Sequence, residues 1–276
     1  MTRNRKRLPR MIAAAASMAV AGVLAYILLF GKLFPLSPVV IGFERTDLDN
    51  AVVFTQKGYD FGDLRWMDTV FGRVEEFHGL QFASRPRILL FGDDRTYSRR
   101  SLSRARLCAF YNGTIVVSPW LSREDADGTV SLETYLEHEL SHVLIFQNLG
   151  IPASIRYPKW LLEGVATLGS RQMGTPFYPD SAETVRLIAE GNWMPPEAYG
   201  TDAEEDVPLD VENRMPFIYC EFALIVDDLI DRFGRERFQE YMTGHTFWSD
   251  PDDVFERTYG MGFEEYLSSF RTDICR

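Results

Sequence analysis

The pattern of apolar and polar positions shows one long apolar segment near the amino terminus, several short strand-like runs and a larger number of helices. Residues 11–30 are without a single charged side chain, which sets them apart from all that follows. Residues 87–91 form a short apolar run typical of a buried strand. Two further apolar runs flank Asn112-Gly113, a pair that tolerates the positive φ of a tight turn, so a β-hairpin is predicted there.

Helical spacing dominates the rest of the chain. Ser131 can cap a helix that carries apolar side chains on one side and ends at Gly150. Other predicted helices cover residues 64–77, a segment from Pro158, residues 216–234, and shorter segments at 235–242, 251–259 and 263–271. Because strands come first and helices later, rather than in alternation, the predicted fold class is α+β.

The apolar segment near the amino terminus predicts a membrane anchor. A spanning helix needs about 20 apolar residues, and residues 11–30 match that length behind a basic tail at residues 1–10. The alternative is a cleaved signal peptide, but bulky residues 26–30 stand where its small-residue cleavage site would lie. We therefore expect a basic cytoplasmic tail, a transmembrane signal anchor, a linker at residues 31–50 and one catalytic domain at residues 51–276.

The distribution of charge orients that anchor. The chain has 29 basic and 40 acidic residues, and six of the basic residues but none of the acidic ones precede residue 41. Basic residues favour the cytoplasmic side, which predicts a single-pass membrane protein whose domain is periplasmic or extracellular. The strongly acidic remainder repels nucleic acid, so nucleic acid is not an expected partner.

Cys108, Cys220 and Cys275 are too few and too scattered for a zinc cluster or a disulfide framework. One pair could form a disulfide in an oxidising compartment, or all three could be buried thiols. The sequence leaves both alternatives open.

The residues from His138 to His142 spell His-Glu-Leu-Ser-His inside a predicted helix. Positions i and i+4 lie on one helical face, so both imidazoles can bind one ion while Glu139 lies beside it. Neutral imidazoles suit Zn²⁺, and an adjacent carboxylate can take a proton as water attacks a carbonyl. The motif therefore predicts one zinc ion held by His138 and His142, with Glu139 as general base.

A third ligand is predicted on the next helix. Glu163 lies among apolar residues, where a carboxylate is costly to bury without a partner, and a metal ion would be such a partner. A catalytic zinc site commonly uses three protein ligands. The alternative for Glu163 is an ion pair with Arg156 or Arg171.

This His-Glu-x-x-His helix, followed by Trp160-Leu-Leu-Glu-Gly-Val-Ala166, resembles the gluzincin zinc metallopeptidases, specifically the aminopeptidase-like "peptidase MA-like" group. The resemblance covers about residues 85–270. It implies a zincin-like domain with a small N-terminal mixed sheet and a mostly helical C-terminal part. It also implies zinc ligands at His138, His142 and Glu163, and a general base at Glu139.

The resemblance further implies a tyrosine that stabilises the oxyanion, and Tyr219 is the candidate. The alternative for Tyr219 is a core aromatic on an apolar helix. His245 is a second candidate for this role, although the sequence favours surface-loop positions for both His245 and His78.

A substrate-binding edge strand ahead of the zinc helix is implied as well, and residues 114–118 are the candidate. An extended peptide would add to the free edge of such a strand. This expectation requires that the strand lie at an edge of the sheet.

The sequence therefore predicts a membrane-anchored zinc metallopeptidase that acts on protein or peptide substrates. Endopeptidase activity is favoured over aminopeptidase activity, because no Gly-x-Met-Glu-Asn type of segment is present to hold a free amino terminus. Two alternatives stay open. One is a zinc-retaining, non-catalytic binding module of an envelope assembly. The other is a zinc hydrolase that acts on a non-protein amide.

Overall fold

The structure, a computed structural model, describes residues 7–274, with side chains described at residue 12 and from residue 14 onward. In the described residues the fold is α+β, with one small mixed sheet and many helices. The strands are β1 Phe43–Asp47, β2 Val52–Gln56, β3 Arg87–Leu90, β4 Leu107–Phe110 and β5 Thr114–Val117. The helices are α1 Arg7–Phe30, α2 Met67–His78, α3 Asp94–Arg100, α4 Pro119–Ala126, α5 Leu132–Leu149, α6 Ile151–Arg156, α7 Lys159–Gly169, α8 Ser181–Ala189, α9 Arg214–Phe233, α10 Arg235–Thr243, α11 Pro251–Tyr259 and α12 Phe263–Ile274.

The sheet has the order β1-β2-β3-β5-β4. Its three central strands are parallel to one another, whereas β1 and β4 pair antiparallel at the two edges. β4 and β5 form the predicted hairpin, and Gly113 in its turn has a φ of 76°. The order makes β5 an internal strand, so the prediction of a substrate-binding edge at residues 114–118 is wrong. The edge strand next to it is β4.

The sheet separates two apolar clusters. Ile88 and Leu90 of β3 face α2 and α5, whereas Leu89 between them faces the opposite side with Phe91. This alternation follows from the two-residue period of a strand. A third and larger cluster joins α7, α9 and the helices from α10 to α12, and it forms the core of the helical half.

Several helices begin and end where the sequence predicts. The Ser131 hydroxyl accepts a hydrogen bond from the Thr134 N–H and caps α5, which ends at Gly150. The fold, however, begins before the predicted boundary at residue 51. β1 lies within the predicted linker, and Phe43 at its start packs edge-on against Phe91. The other side chains of β1 are exposed, so the strand lacks the alternation that would have identified it.

The first helix carries the apolar segment that the sequence predicts as an anchor. A spanning helix needs about 20 consecutive apolar residues, and the continuous run of described side chains in α1 covers residues 14–30. In the part of the chain that the structure describes, no helix is long and apolar enough to cross a membrane. This finding contradicts the predicted transmembrane anchor at residues 11–30 and the single-pass membrane location inferred from it. Most of the predicted basic tail lies outside the described residues.

His78 and His245 are buried, so the prediction of surface-loop positions for both is wrong. The His78 ring lies between α2 and α5, and the His245 ring lies edge-on against Tyr157 and Tyr241. Burial lowers the pKa of each imidazole to about 4. Both side chains are therefore neutral in the folded protein at neutral pH.

We expect these two histidines to make the stability depend on pH. A folded pKa of about 4 lies below the ordinary value, so the stabilisation is complete above about pH 6.5 and is lost as the pH falls towards 4. Each histidine should cost about 2 kcal/mol between pH 7 and pH 5. Urea unfolding of His245→Phe should show a shallower loss of stability over this range than the parent chain. An identical pH dependence in the two proteins would contradict this.

Candidate metal centre and active-site cleft

The centre of the site is one face of α5. His138 and His142 lie one helical turn apart, and their ring centroids are 4.7 Å from each other. Potential ligand atoms of His138, Glu139 and His142 all lie within 4.8 Å of one another. Both histidines are buried, whereas Glu139 is half-buried. The helix thus brings together the three motif residues, as the spacing predicts.

Glu163 reaches the same point from α7. Its Oε2 lies 3.2 Å from the Nε2 of His138 and 3.5 Å from the Nε2 of His142. Among the ion pairs of the described residues, Glu163 therefore pairs with the two imidazoles and not with Arg156 or Arg171. The arrangement places one carboxylate oxygen and two ring nitrogens around a common point.

These distances fit a tetrahedral zinc ion. Nitrogen and oxygen ligands lie about 2.0–2.1 Å from zinc, and two corners of such a tetrahedron are then about 3.3–3.4 Å apart. The two measured separations lie on either side of that value. Two imidazoles and one carboxylate are also the donor set of a catalytic zinc site that leaves a fourth position open. His138, His142 and Glu163 could therefore hold one zinc ion.

The position of Glu163 depends on the neighbouring glycine. A Cβ on Gly164 would lie 2.6 Å from the carbonyl oxygen of Phe222, so only glycine allows α7 to approach the backbone of α9 this closely. Tyr219 precedes Phe222 by three residues and lies on the same side of α9. The contact between Gly164 and Phe222 therefore aligns the two helices so that Glu163 and Tyr219 face one cleft.

Electrostatic attraction links the Glu163 carboxylate to the imidazoles of His138 and His142. Burial opposes ionisation of Glu163, but the imidazoles of His142 and His138 hold its pKa well below the usual range. Burial also opposes a charge on His142, but the carboxylates of Glu163 and Glu139 raise its pKa. Glu163 is therefore ionised with only 16% of its side chain exposed, and a carboxylate so largely shielded from water needs a positive partner.

His78 on α2 holds the turn of α5 that carries His142. The carbonyl oxygen of Val74 can only accept a hydrogen bond, so the Nδ1–H of His78 donates to it at 2.8 Å. The His78 Nε2 then accepts from the hydroxyl of Ser141 at 2.7 Å. Ser141 precedes His142, so this buried contact anchors the ligand-bearing turn to α2.

The Nδ1 atoms of His138 and His142 are buried, and neither has a hydrogen-bond partner in the described residues. In most metal sites a carboxylate or carbonyl oxygen accepts this N–H and orients the ring. Here the ring of His138 is instead stacked against Tyr219, with centroids 5.8 Å apart and planes inclined by 19°. On the Nδ1 side of the ring, packing against Tyr219 therefore takes the place of that hydrogen bond, while the Nε2 atom contacts Glu163.

Glu139 connects the centre to the edge strand. Its Oε2 accepts a hydrogen bond of 2.6 Å from the backbone N–H of Ala109 in β4. Because β4 is an edge strand, this N–H faces away from the sheet and towards α5. The carboxylate of Glu139 therefore lies between the candidate metal site and the free edge of the sheet.

The candidate residues line one cleft of about 630 Å³. It contains His138, Glu139, His142, Glu163 and Tyr219, and its volume is in the range of small-molecule sites. β4 forms one wall, and parts of α7 and α9 form the other.

Tyr219, the candidate for stabilising an oxyanion, lines this cleft. Burial, followed by the nearby Glu163 carboxylate, raises the pKa of Tyr219 well above its ordinary value, so its phenol keeps its proton. Its hydroxyl accepts a hydrogen bond of 3.4 Å from the hydroxyl of Tyr199. His245, the second candidate for this role, does not line the cleft but packs against Tyr157 and Tyr241.

The sequence missed Ala109 and Tyr199. The role of Ala109 comes from a backbone N–H, which no residue type could have indicated. Tyr199 lies in an irregular segment without periodicity. Of the cysteines, Cys108 and Cys220 are free thiols, and Cys275 lies outside the described residues.

A comparison of the sequence with models of protein families finds no match, and a comparison with curated proteins finds none either. The resemblance to the gluzincins therefore depends on the motif residues and stays a prediction.

Removal of the Glu163 carboxylate should weaken metal binding. We expect the purified parent chain to retain about one zinc ion after dialysis, and Glu163→Ala to lose most of it, because two ligands hold zinc less tightly than three. Elemental analysis of the dialysed proteins measures this directly.

The matched control is Glu265→Ala, which removes an exposed carboxylate on α12. This variant should keep its zinc. Equal zinc contents in the parent chain and Glu163→Ala would exclude Glu163 as a ligand.

Proposed function

We propose that this chain is a zinc metallopeptidase of the gluzincin kind, which hydrolyses peptide bonds with Glu139 as general base. The observation that carries the proposal is the convergence of the Glu163 carboxylate on both imidazoles. A lone His-Glu-x-x-His helix could be an accident of sequence. A carboxylate from a second helix that is largely shielded from water, at the separations that zinc requires, is much harder to explain without a metal ion.

A zinc ion at this point would supply a Lewis acid that polarises a substrate carbonyl and makes water a stronger acid. Glu139 would take a proton as the water oxygen forms its bond to the carbonyl carbon. The same carboxylate would then deliver that proton to the amine that leaves. The present partner of Glu139 is the Ala109 N–H, so a substrate that pairs with β4 would displace the carboxylate towards the water.

The substrate would bind along β4. An edge strand presents unpaired backbone groups, and an extended peptide can pair with them irrespective of its side chains. β4 combines this free edge with a position in the cleft wall beside Glu139. The proposal therefore assigns to β4 the role that the sequence assigned to residues 114–118.

Tyr219 would stabilise the oxyanion of the tetrahedral intermediate. Its protonated phenol can donate a hydrogen bond into the cleft while it accepts one from Tyr199. A donor that is already oriented costs little reorganisation when charge develops on the substrate oxygen.

The role of Glu139 can be separated from metal binding. Glu139→Gln keeps the shape of the side chain but removes the base, so it should retain zinc and lose peptide hydrolysis by several orders of magnitude. The measurement is the cleavage rate on a mixed peptide library, together with the zinc content of the same sample.

Glu133→Gln is the matched control, since Glu133 lies on the same helix but pairs with Arg73 outside the cleft. It should cleave like the parent chain. Undiminished cleavage by Glu139→Gln would show that Glu139 is not the base. A parent chain that holds zinc but cleaves no peptide would contradict the proposed activity.

Tyr219→Phe removes only the hydroxyl. If this hydroxyl stabilises the oxyanion, kcat should fall about 10²-fold to 10³-fold while KM and zinc content stay near the parent values. A core aromatic would show the opposite pattern, with an unchanged kcat and at most a lower stability. Steady-state kinetics on one cleaved peptide distinguish the two roles.

A further inference from the structure

The side chain of Phe177 lies at the boundary between two cavities. It lines the candidate active-site cleft and also a second cavity of about 540 Å³. Tyr178 lines both cavities as well, so these two residues form a wall that the cavities share. Phe177 is 43% exposed, so part of its ring is open to a molecule bound in the cleft.

The backbone holds Phe177 in an unusual conformation. Its φ is 75°, in the left-handed region that bulky residues rarely adopt. Phe177 follows Pro176 in a tight turn, in which the Tyr178 N–H donates to the carbonyl oxygen of Thr175 at 3.0 Å. Glycine is the usual residue at the third position of a turn when φ is positive there. A large ring at a position that suits glycine points to a function for the side chain.

Arg106 holds the ring of Phe177 from the other side of the cleft. It immediately precedes β4, and its guanidinium lies 5.0 Å from the centroid of the Phe177 ring. The same guanidinium donates two hydrogen bonds to the carboxylate of Glu124, at 2.6 Å and 3.1 Å, and this two-point contact fixes its orientation. The contact between Arg106 and Phe177 therefore joins the β4 side of the cleft to the segment between α7 and α8.

This contact lies a short distance along β4 from the candidate base. Ala109, whose N–H donates to Glu139, comes three residues after Arg106, which is about 10 Å in a strand. An extended peptide advances about 3.3 Å per residue, so about three of its residues fit between Glu139 and the contact. Antiparallel pairing is the more stable kind, and it directs the carboxyl end of the peptide towards Arg106.

We propose that Phe177, held by Arg106, closes one end of the cleft and limits the substrate to about three residues after the cleaved bond. This assignment rests on the proposed peptidase function. It makes Phe177 a specificity residue. It also defines the substrate class as the carboxyl-terminal segments of peptides and proteins, which are released as short peptides.

The test determines where the zinc-loaded full chain cleaves peptides of increasing length. One peptide that the parent chain cleaves is lengthened with alanine residues at its carboxyl end, and in a second series at its amino end. Mass spectrometry identifies the products. In the parent chain the cleavage point should move with the carboxyl end, so that the released fragment keeps about three residues. Lengthening at the amino end should leave the cleavage point unchanged.

Phe177→Ala should remove the limit, because the cleft then opens into the second cavity. It should cleave the peptides with lengthened carboxyl ends at the original bond, with a kcat/KM for that bond about tenfold or more above that of the parent chain. Phe177→Tyr keeps the ring and should release the same short fragment as the parent chain.

Phe247→Ala is the matched control. Phe247 also packs against a guanidinium, that of Arg156 at 5.6 Å, but it is not part of the cleft lining. This variant should keep the limit on fragment length.

The role of Phe177 is wrong if the parent chain cleaves at the original bond whatever the length of the carboxyl end. It is also wrong if Phe177→Ala releases only the same short fragments. In both cases hydrolysis by the parent chain would still support the proposed function. A zinc-loaded parent chain that cleaves none of the peptides would overturn both the assignment of Phe177 and the proposed function.

Discussion

The contact between one carboxylate oxygen of Glu163 and the Nε2 atoms of His138 and His142 determines how the two halves of the molecule must meet. α5 belongs to the sheet half, where it packs with α2 under the strands. α7 belongs to the helical half, where it packs on α9. A carboxylate that is largely shielded from water is costly away from a positive partner, and this favours arrangements of the two helices that bring Glu163 to the imidazoles.

Two contacts behind the site maintain that arrangement. Gly164 allows α7 to lie against the backbone of α9, and the hydrogen bond from Ser141 to His78 holds the ligand-bearing turn against α2. Neither contact involves a group that would touch substrate. Each lies within one half of the fold, so the site is supported from both sides by contacts that are independent of substrate.

The edge strand β4 lies on one side of the candidate metal centre. The Glu139 carboxylate accepts a hydrogen bond from the Ala109 N–H of β4, so the candidate base lies beside both the edge strand and the candidate metal site. Tyr219 lines the wall that α9 contributes, and its hydroxyl accepts a hydrogen bond from the Tyr199 hydroxyl. An extended peptide on β4 would thus pass between a base and a hydrogen-bond donor, which is the geometry that attack on a carbonyl requires.

By itself the sequence determined the elements whose signals are local: the capped helix from Ser131 to Gly150, the hairpin at Asn112-Gly113 and the helical spacing of the motif histidines. It also supplied two candidates for the site: Glu163, because a carboxylate among apolar residues needs a partner, and Tyr219, because the resemblance to the gluzincins implies a tyrosine. The order of the strands was decided by pairing between distant segments, so only the tertiary structure showed that β4, and not β5, is the edge. The burial of His78 and His245 was decided in the same way, because the side chains that cover them come from other parts of the chain.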